Sequence, residues 1–379
     1  MPLLRGLVER EQSTFSRCDR TRGRDRACAY RETPARAKGC CASIFFSLDW
    51  TVALKSKINS PWSFVSTLLV FIIATALAAE SHAAAPRPLR IAYLFTSGTM
   101  ASMWMAKETG GFAKEGLDVE MISMSSILAL PALIANEVDV IQISAVPLIN
   151  ASLRGFDVVF VAGMLNTMIW DLYARSEIKS AEQLKGKIVG TERPGSPVAY
   201  GTLVALRKLG LTAKDVQLRI LGGSAQITAA LLTGQIAAGS AAPPVSFQLD
   251  RAGFHSMATT LDQPYQNVGV VIRRSRMDEF AGRLVPLLRS VRAGIDRYYS
   301  DKPFTMKVIA KYTKETDPDI IERTYEFYRK AGFKRELMIS EPGVQGILDF
   351  LSETVPEAKK AVPAQFFDER FVRQLNSAK

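Results

Sequence analysis

The sequence predicts an α/β protein of two lobes, each a doubly wound and mostly parallel sheet, followed by a helical C-terminal tail. Three observations carry this prediction. From Leu89 onward, short apolar runs alternate with longer amphipathic ones, the order that a parallel sheet with crossover helices requires. Small polar residues recur wherever a strand gives way to a helix, along two successive sets of strands. The chain has 379 residues, enough for two packed lobes, and with 47% hydrophobic and 22% charged residues its composition is that of an ordinary globular protein.

The segment before Leu89 is of another kind. An apolar run from Phe64 to Ala79 follows Lys55 and Lys57, and Ser81-His82-Ala83 follows the run. This is the pattern of a secretory signal peptide over residues 52–83, with cleavage expected after Ala83 or Ala85. An uncleaved anchor is the alternative, for which the apolar run is a little short. Residues 1–51 are Arg-rich, show no clean periodicity and carry all four cysteines, Cys18, Cys28, Cys40 and Cys41. They read as a misassigned start or a disordered leader. The spacing of those cysteines is not that of a zinc finger, and no metal site is expected. After cleavage the chain would hold no cysteine in an oxidising compartment. Net charge is +11, but residues beyond 83 hold 36 basic and 30 acidic side chains with no Lys/Arg tract, so nucleic-acid binding is not expected.

The elements follow in order. Strands are expected at 89–95, 117–124, 138–144 and 157–165, with helices between them after Thr96-Ser97-Gly98-Thr99, Ser125-Ser126 and Ser144. A second unit repeats the pattern. "KIVG" (187–190) is a strand that breaks at Pro194-Gly195. A helix then opens with Ser196 in the cap position and Pro197 in its first turn, where the missing N–H would have had no partner. The strand 216–221 leads through Gly222-Gly223-Ser224 into another helix. A short strand and turn lie at 236–244, and a last strand at 266–275. Helices are expected at 276–299, 303–313, 317–331, 341–353 and 363–376, to cover the first sheet. In open α/β sheets the strand-to-helix junctions face one crevice, and a bare helix N-terminus there suits an anion or a polar group. A single serine at such a point is most often only a cap. Several from two sheets point to a ligand cleft.

Four segments, in order, resemble one family. "GGFAKEGLDVEM" (110–121), "LIANEVDVIQISAVPLI", "SAEQLKGKIVG" with "GSPVAYGTLVALRKLGL", and "LLTGQIAAGSAAPP" are similar to segments of the periplasmic solute-binding proteins of the nitrate/sulfonate/taurine group of ABC importers. The resemblance spans about residues 88–300. It implies the two-lobed type II periplasmic-binding-protein fold, with crossings near 166–174 and 265–272. Lobe 1 would then be 88–169 plus 270–379, and lobe 2 would be 173–266. It further implies a monomer in the periplasm that closes on a small solute and delivers it to an inner-membrane permease. Ligand contacts would come from Ser97, Gly98, Thr99, Ser125, Ser144, Ala145, Gly195, Ser196 and Val198, with Ser224 and Pro243 as weaker candidates. Two departures, Ala237 in place of an acidic residue and Asn136 in place of glycine, warn against importing a ligand.

Hydroxyls and helix N-termini suit a sulfonate, a carboxylate or another small anion. Arg193 is the basic residue at these turns. Trp104, Trp170, Tyr200, Phe247 and Tyr265 are candidates for an apolar wall. Trp170 beside the crossing is the best of them, and Trp104 reads as core. No catalytic residue and no cofactor is expected. Pyrimidine-forming enzymes of thiamine biosynthesis share the superfamily but need histidines and a cysteine-rich motif, whereas His255 stands alone after the signal segment. A pyrimidine-precursor binding protein, such an enzyme, and a solute sensor that docks a membrane receptor remain the rival readings.

Overall fold

The computed structural model describes residues 87–94 and 98–377. The leader, the signal segment and Ser97 lie outside the described residues.

Among the described residues ten strands form two five-stranded sheets. The first has the order β2-β1-β3-β10-β4, from β1 (Leu89–Leu94), β2 (Val119–Met124), β3 (Val140–Ile143), β4 (Val158–Thr167) and β10 (Pro264–Arg273). The second has the order β7-β6-β8-β5-β9, from β5 (Asp171–Ala174), β6 (Ile188–Thr191), β7 (Gln217–Ile220), β8 (Ala238–Ala241) and β9 (His255–Ala258). Four strands of each sheet run one way. The exceptions are β5, antiparallel to β8 and β9, and β10, antiparallel to β3 and β4. Each exception is the first strand after the chain passes from one sheet to the other. The chain leaves a sheet at the C-terminal edge of its strands, enters the facing sheet there, and must run away from the junction.

The first passage is residues 168–170. The second is 259–263, earlier than the expected 265–272, because Pro264–Arg273 pairs along its length with β4. The passages are tied together. The Met168 amide donates to the Gln263 carbonyl (3.2 Å), Thr167 Oγ1 to the Leu261 carbonyl (2.5 Å), Thr260 Oγ1 to the Trp170 carbonyl (3.1 Å), and Asn267 Nδ2 to the Thr167 carbonyl (2.9 Å).

Helices flank both sheets. In chain order they are α1 (Ala101–Glu108), α2 (Gly111–Lys114), α3 (Ser126–Ile134), α4 (Ala145–Leu153), α5 (Ala181–Leu184), α6 (Pro197–Lys208), α7 (Ser224–Leu232), α8 (Val245–Arg251), α9 (Met277–Ser300), α10 (Lys302–Thr313), α11 (Pro318–Ala331), α12 (Glu341–Leu351) and α13 (Arg370–Ser377). On one face of the first sheet Trp104, Val161, Leu288, Val291, Ile295 and Tyr298 form a core, so the C-terminal helices do cover that sheet. α1 and α9 cross closely. A Cβ on Gly294 would stand 2.6 Å from the Ala106 amide nitrogen, which leaves room only for glycine. The opposite face packs Ile141, Leu148, Ile149, Ile347 and Leu348. The second sheet is sandwiched likewise, by Leu172, Val189 and Leu206 on one side and Tyr173, Ile227 and Leu249 on the other.

Two expectations change. The single helix read at 363–376 is a 3-10 turn, Pro363–Phe366, followed by α13. Between them Phe367 bridges to Phe160, and this backbone pairing holds the chain extended. β9 was not expected at all. It is a four-residue edge strand that pairs only with β5.

Candidate functional site

The C-terminal ends of the parallel strands of both sheets point toward the two passages, and the residues there come from both sheets. Three clusters form.

The first lies beside the passages. Ser144 follows β3 and takes the N-cap position of α4 in an extended conformation (φ −85°, ψ 167°), yet its hydroxyl makes no cap bond. It is 4% exposed, and its Oγ has no hydrogen-bond partner. Ala145 after it is fully buried. The Tyr265 hydroxyl, also fully buried, is likewise without a partner. Burial pushes the Tyr265 phenol far up, with the Ser144 hydroxyl and the Val146 amide alongside opposing the shift. Neither neighbour meets it at hydrogen-bond geometry. Trp170 meets the Tyr265 ring edge-on at 5.8 Å, and Tyr200 on α6 stacks on it at 5.5 Å. Burial raises the Tyr200 hydroxyl to about 12. Aromatic surface and two uncommitted buried hydroxyls thus meet at one point.

The second cluster is the opening of α6 and α7. Ser196 caps α6, its Oγ accepting from the Ala199 amide at 3.0 Å. Gly195 has φ 84°, a conformation that favours glycine, and the Nδ2 of Asn150 on α4 stands 3.5 Å from where its Cβ would be. Val198 is buried behind the turn. Ser224 is the first residue of α7, with Gly223 as its cap. The hydroxyls of Ser196 and Ser224 both bear on the carboxyl of Glu192, just beyond β6. Burial raises this carboxyl's pKa, and the two hydroxyls and the charge of Arg193 oppose the rise.

The third cluster joins Gly98 to Pro243 through Tyr328 of α11. A Cβ on Gly98 would lie 2.2 Å from the Tyr328 ring, and the Tyr328 hydroxyl donates to the Pro243 carbonyl at 3.0 Å. Thr99 is buried beside Gly98. Ser125 caps the start of α3 without a side-chain bond.

The rims beside the clusters are bridged. On one, the Tyr200 hydroxyl donates to the Gly346 carbonyl (3.2 Å) and Arg207 pairs with Glu353 (2.7 Å). On the other, α8 meets α11 and the turn before it: Arg323 pairs with Asp250 (2.6 Å) and lies over the Phe247 ring, Arg251 pairs with Asp319 (3.1 Å) and Asp317, and Gln248 donates to Glu315 (2.7 Å).

Other expected residues fall elsewhere. Trp104 is core, fully buried and stacked on Tyr312 at 4.7 Å. Phe247 belongs to the rim with Arg323 and Phe327. Ser240, within the short strand and turn expected at 236–244, sits inside β8 and bonds Thr202 at 2.8 Å. Arg193 is exposed and forms no ion pair among the described residues. Sequence reading passed over Glu192, Asn150 and Tyr328. For Glu192 a signal existed: an acidic residue directly after a strand and two before Pro194-Gly195. Two hollows of about 410 and 420 Å³ lie at the far end of the second sheet, around Arg175 and Gly234, where no buried polar atom lacks a partner. Among the described residues no cluster of His, Cys, Asp and Glu could hold a metal, and no helix is long and apolar enough to cross a membrane.

This architecture, two mixed α/β sheets facing each other across a double passage, is the periplasmic-binding-protein fold. Residues 98–263 match the family model described as NMT1/THI5 like. The periplasmic aliphatic sulphonate binding protein SsuA of Escherichia coli is 22% identical, covers 75% of this chain and 93% of its own, and superposes with a TM-score of 0.62. The alkanesulfonate-binding protein SsuA of Xanthomonas axonopodis pv. citri, bound to MOPS, is 18% identical over 76% of this chain and all of its own (TM-score 0.63). A DszB mutant in complex with biphenyl-2-sulfinic acid is 14% identical over 77% of this chain and all of its own (TM-score 0.58). No curated protein matches the chain in sequence. The structural neighbours are mostly binding proteins.

Proposed function

We propose that the chain is the extracytoplasmic substrate-binding subunit of an ABC importer. It captures a small organic acid, a sulfonate or carboxylate with an apolar or aromatic body, between two lobes and delivers it to a membrane permease. The lobes are the two sheets with their flanking helices, hinged at 168–170 and 259–263. The observation that carries this reading is the pair of buried hydroxyls without partners, Ser144 and Tyr265, at the N-terminus of α4 and against an aromatic wall. Buried polar groups are ordinarily satisfied, and a pair of exceptions facing an aromatic wall at a helix start is accounted for by a ligand that takes their bonds. Ligands of neighbours support it: an alkanesulfonate-binding protein holding MOPS, and a sulfinic acid with a biphenyl body.

Native mass spectrometry of protein exported and purified without unfolding tests this. A co-purifying small acid is the expected result. The NMT1/THI5 match favours a second reading, a pyrimidine-precursor ligand. A bound pyrimidine in the same spectrum would replace the first reading with the second.

A further inference from the structure

Two tyrosines cross between the sheets in opposite senses. Tyr200 lies on α6, whose Leu206 packs on the second sheet, yet its own ring is buried in the core of the first. There it stacks on Tyr265 at 5.5 Å and meets Phe350 of α12 edge-on at 4.6 Å, and its hydroxyl donates to the Gly346 carbonyl of α12 at 3.2 Å. Tyr328 lies on α11, within the core that covers the first sheet. Its hydroxyl donates at 3.0 Å to the carbonyl of Pro243, two residues beyond β8 of the second. Both rings also touch what the cleft is built from. The Tyr200 ring covers Tyr265, whose hydroxyl has no partner. The Tyr328 ring lies so close on the turn after β1 that a Cβ on Gly98 would stand 2.2 Å from it.

Tyr200 is 7% exposed and Tyr328 is fully buried, whereas the ion pairs of the same rims, Arg207–Glu353 and Arg251–Asp319, are made by exposed side chains. Exposed ion pairs contribute little and are screened by salt, but a neutral hydroxyl on a carbonyl is not. Burial holds the Tyr200 phenol up at about 12, so it keeps the proton it donates throughout the neutral range.

We infer that Tyr200 and Tyr328 are positioning residues that latch the closed cleft, each with its ring on a cleft element and its hydroxyl on a backbone carbonyl of the opposite lobe. Retention of a bound solute is then set by two uncharged bonds more than by the ion pairs at the rims. This rests on the two-lobed binding reading above and adds how that site is kept shut. The competing role is ordinary core packing, in which the rings matter and the hydroxyls do not.

Phenylalanine keeps each ring and removes only the hydroxyl, so Tyr200→Phe, Tyr328→Phe and the double variant are compared with the unaltered full chain. MOPS, held by one of the similar proteins, is the probe, and stopped-flow tryptophan fluorescence follows its binding and release. Each single variant is expected to release MOPS about three- to tenfold faster, the equivalent of one neutral hydrogen bond, with association changed by less than about twofold. The double variant should show the product of the two effects, and the increase should persist in about 1 M salt. Unchanged release rates, or a loss that falls on association instead, would overturn the latches and leave solute binding standing. If MOPS does not bind, the acid-binding reading is set aside and small-angle scattering of the ligand-free proteins decides. A double variant more open than the unaltered chain would uphold the latches, and identical curves would overturn them.

Discussion

Replacing Ser144 by alanine should stabilise the ligand-free protein and weaken its ligand binding. Serine at an N-cap ordinarily contributes about 1 kcal/mol through its bond to a backbone amide. Ser144 has the cap's backbone conformation but makes no such bond, so alanine forfeits nothing there. Its hydroxyl is instead buried without a partner, a state that costs roughly 1–3 kcal/mol. Removing it should return about 1–2 kcal/mol. In a body of this size each kcal/mol moves Tm by roughly 2–4 °C, so the melt should rise by about 2–8 °C. A hydrogen bond from that hydroxyl to an acid group is worth roughly 1.5–3 kcal/mol, so affinity should fall about tenfold or more. Scanning calorimetry and titration of the same preparation read both quantities. A lower Tm with unchanged affinity would refute the reasoning: the hydroxyl would then be a cap in solution, and the cleft floor would lie elsewhere.

Asp139, with a fully buried side chain, accepts from Arg87 (2.8 Å), Arg276 (3.1 Å) and the Arg90 amide (3.0 Å). Burial works against its charge, but these partners prevail and hold its pKa below the usual carboxylate value. Its stabilisation is therefore present above the unfolded pKa and lost as pH falls through the folded one. Asp139→Asn should lose about 3 kcal/mol in urea unfolding at neutral pH, and the two proteins should converge in acid. Gly98→Ala would drive a methyl group into the Tyr328 ring and should displace its bond to Pro243, at a cost of about 1–3 kcal/mol in the melt and with weaker ligand binding. Arg251→Ala with Arg323→Ala removes the ion pairs between α8 and the α11 side. Such exposed pairs give at most about 1 kcal/mol each and are screened by salt, so small-angle scattering should show the ligand-free double variant more open at low salt, with the difference from wild type shrinking in about 1 M salt.

Local chemistry alone carried the alternation of strands and helices, because apolar period and turn residues act within a few positions. It also marked Ser144, Gly195, Ser196 and Ser224 as junction residues. Which of them are spent as caps was not legible. Ser144 and Ser196 follow strands in the same way, yet Ser196 Oγ takes the Ala199 amide while Ser144 Oγ takes nothing. The difference arises from packing, since Tyr265 and the aromatic wall close over Ser144 from distant positions in the chain. β9 was missed because four residues at an edge carry little pattern and owe their conformation to pairing with β5. The second passage was displaced because the pairing of β10 with β4 sets where that strand begins.

The sequence by itself determined the α/β alternation along two sets of strands, the order of the elements and the small polar residues where strands meet helices. These follow from side-chain period and from backbone groups that every helix end leaves free. Only the tertiary structure decided that β5 and β10 run against their sheets, that Tyr328 joins Gly98 to Pro243, itself 85 residues before Tyr328, and that Glu192 stands beside the openings of two helices. Those contacts join residues far apart in the chain, and their energies depend on burial that exists only once both sheets face each other.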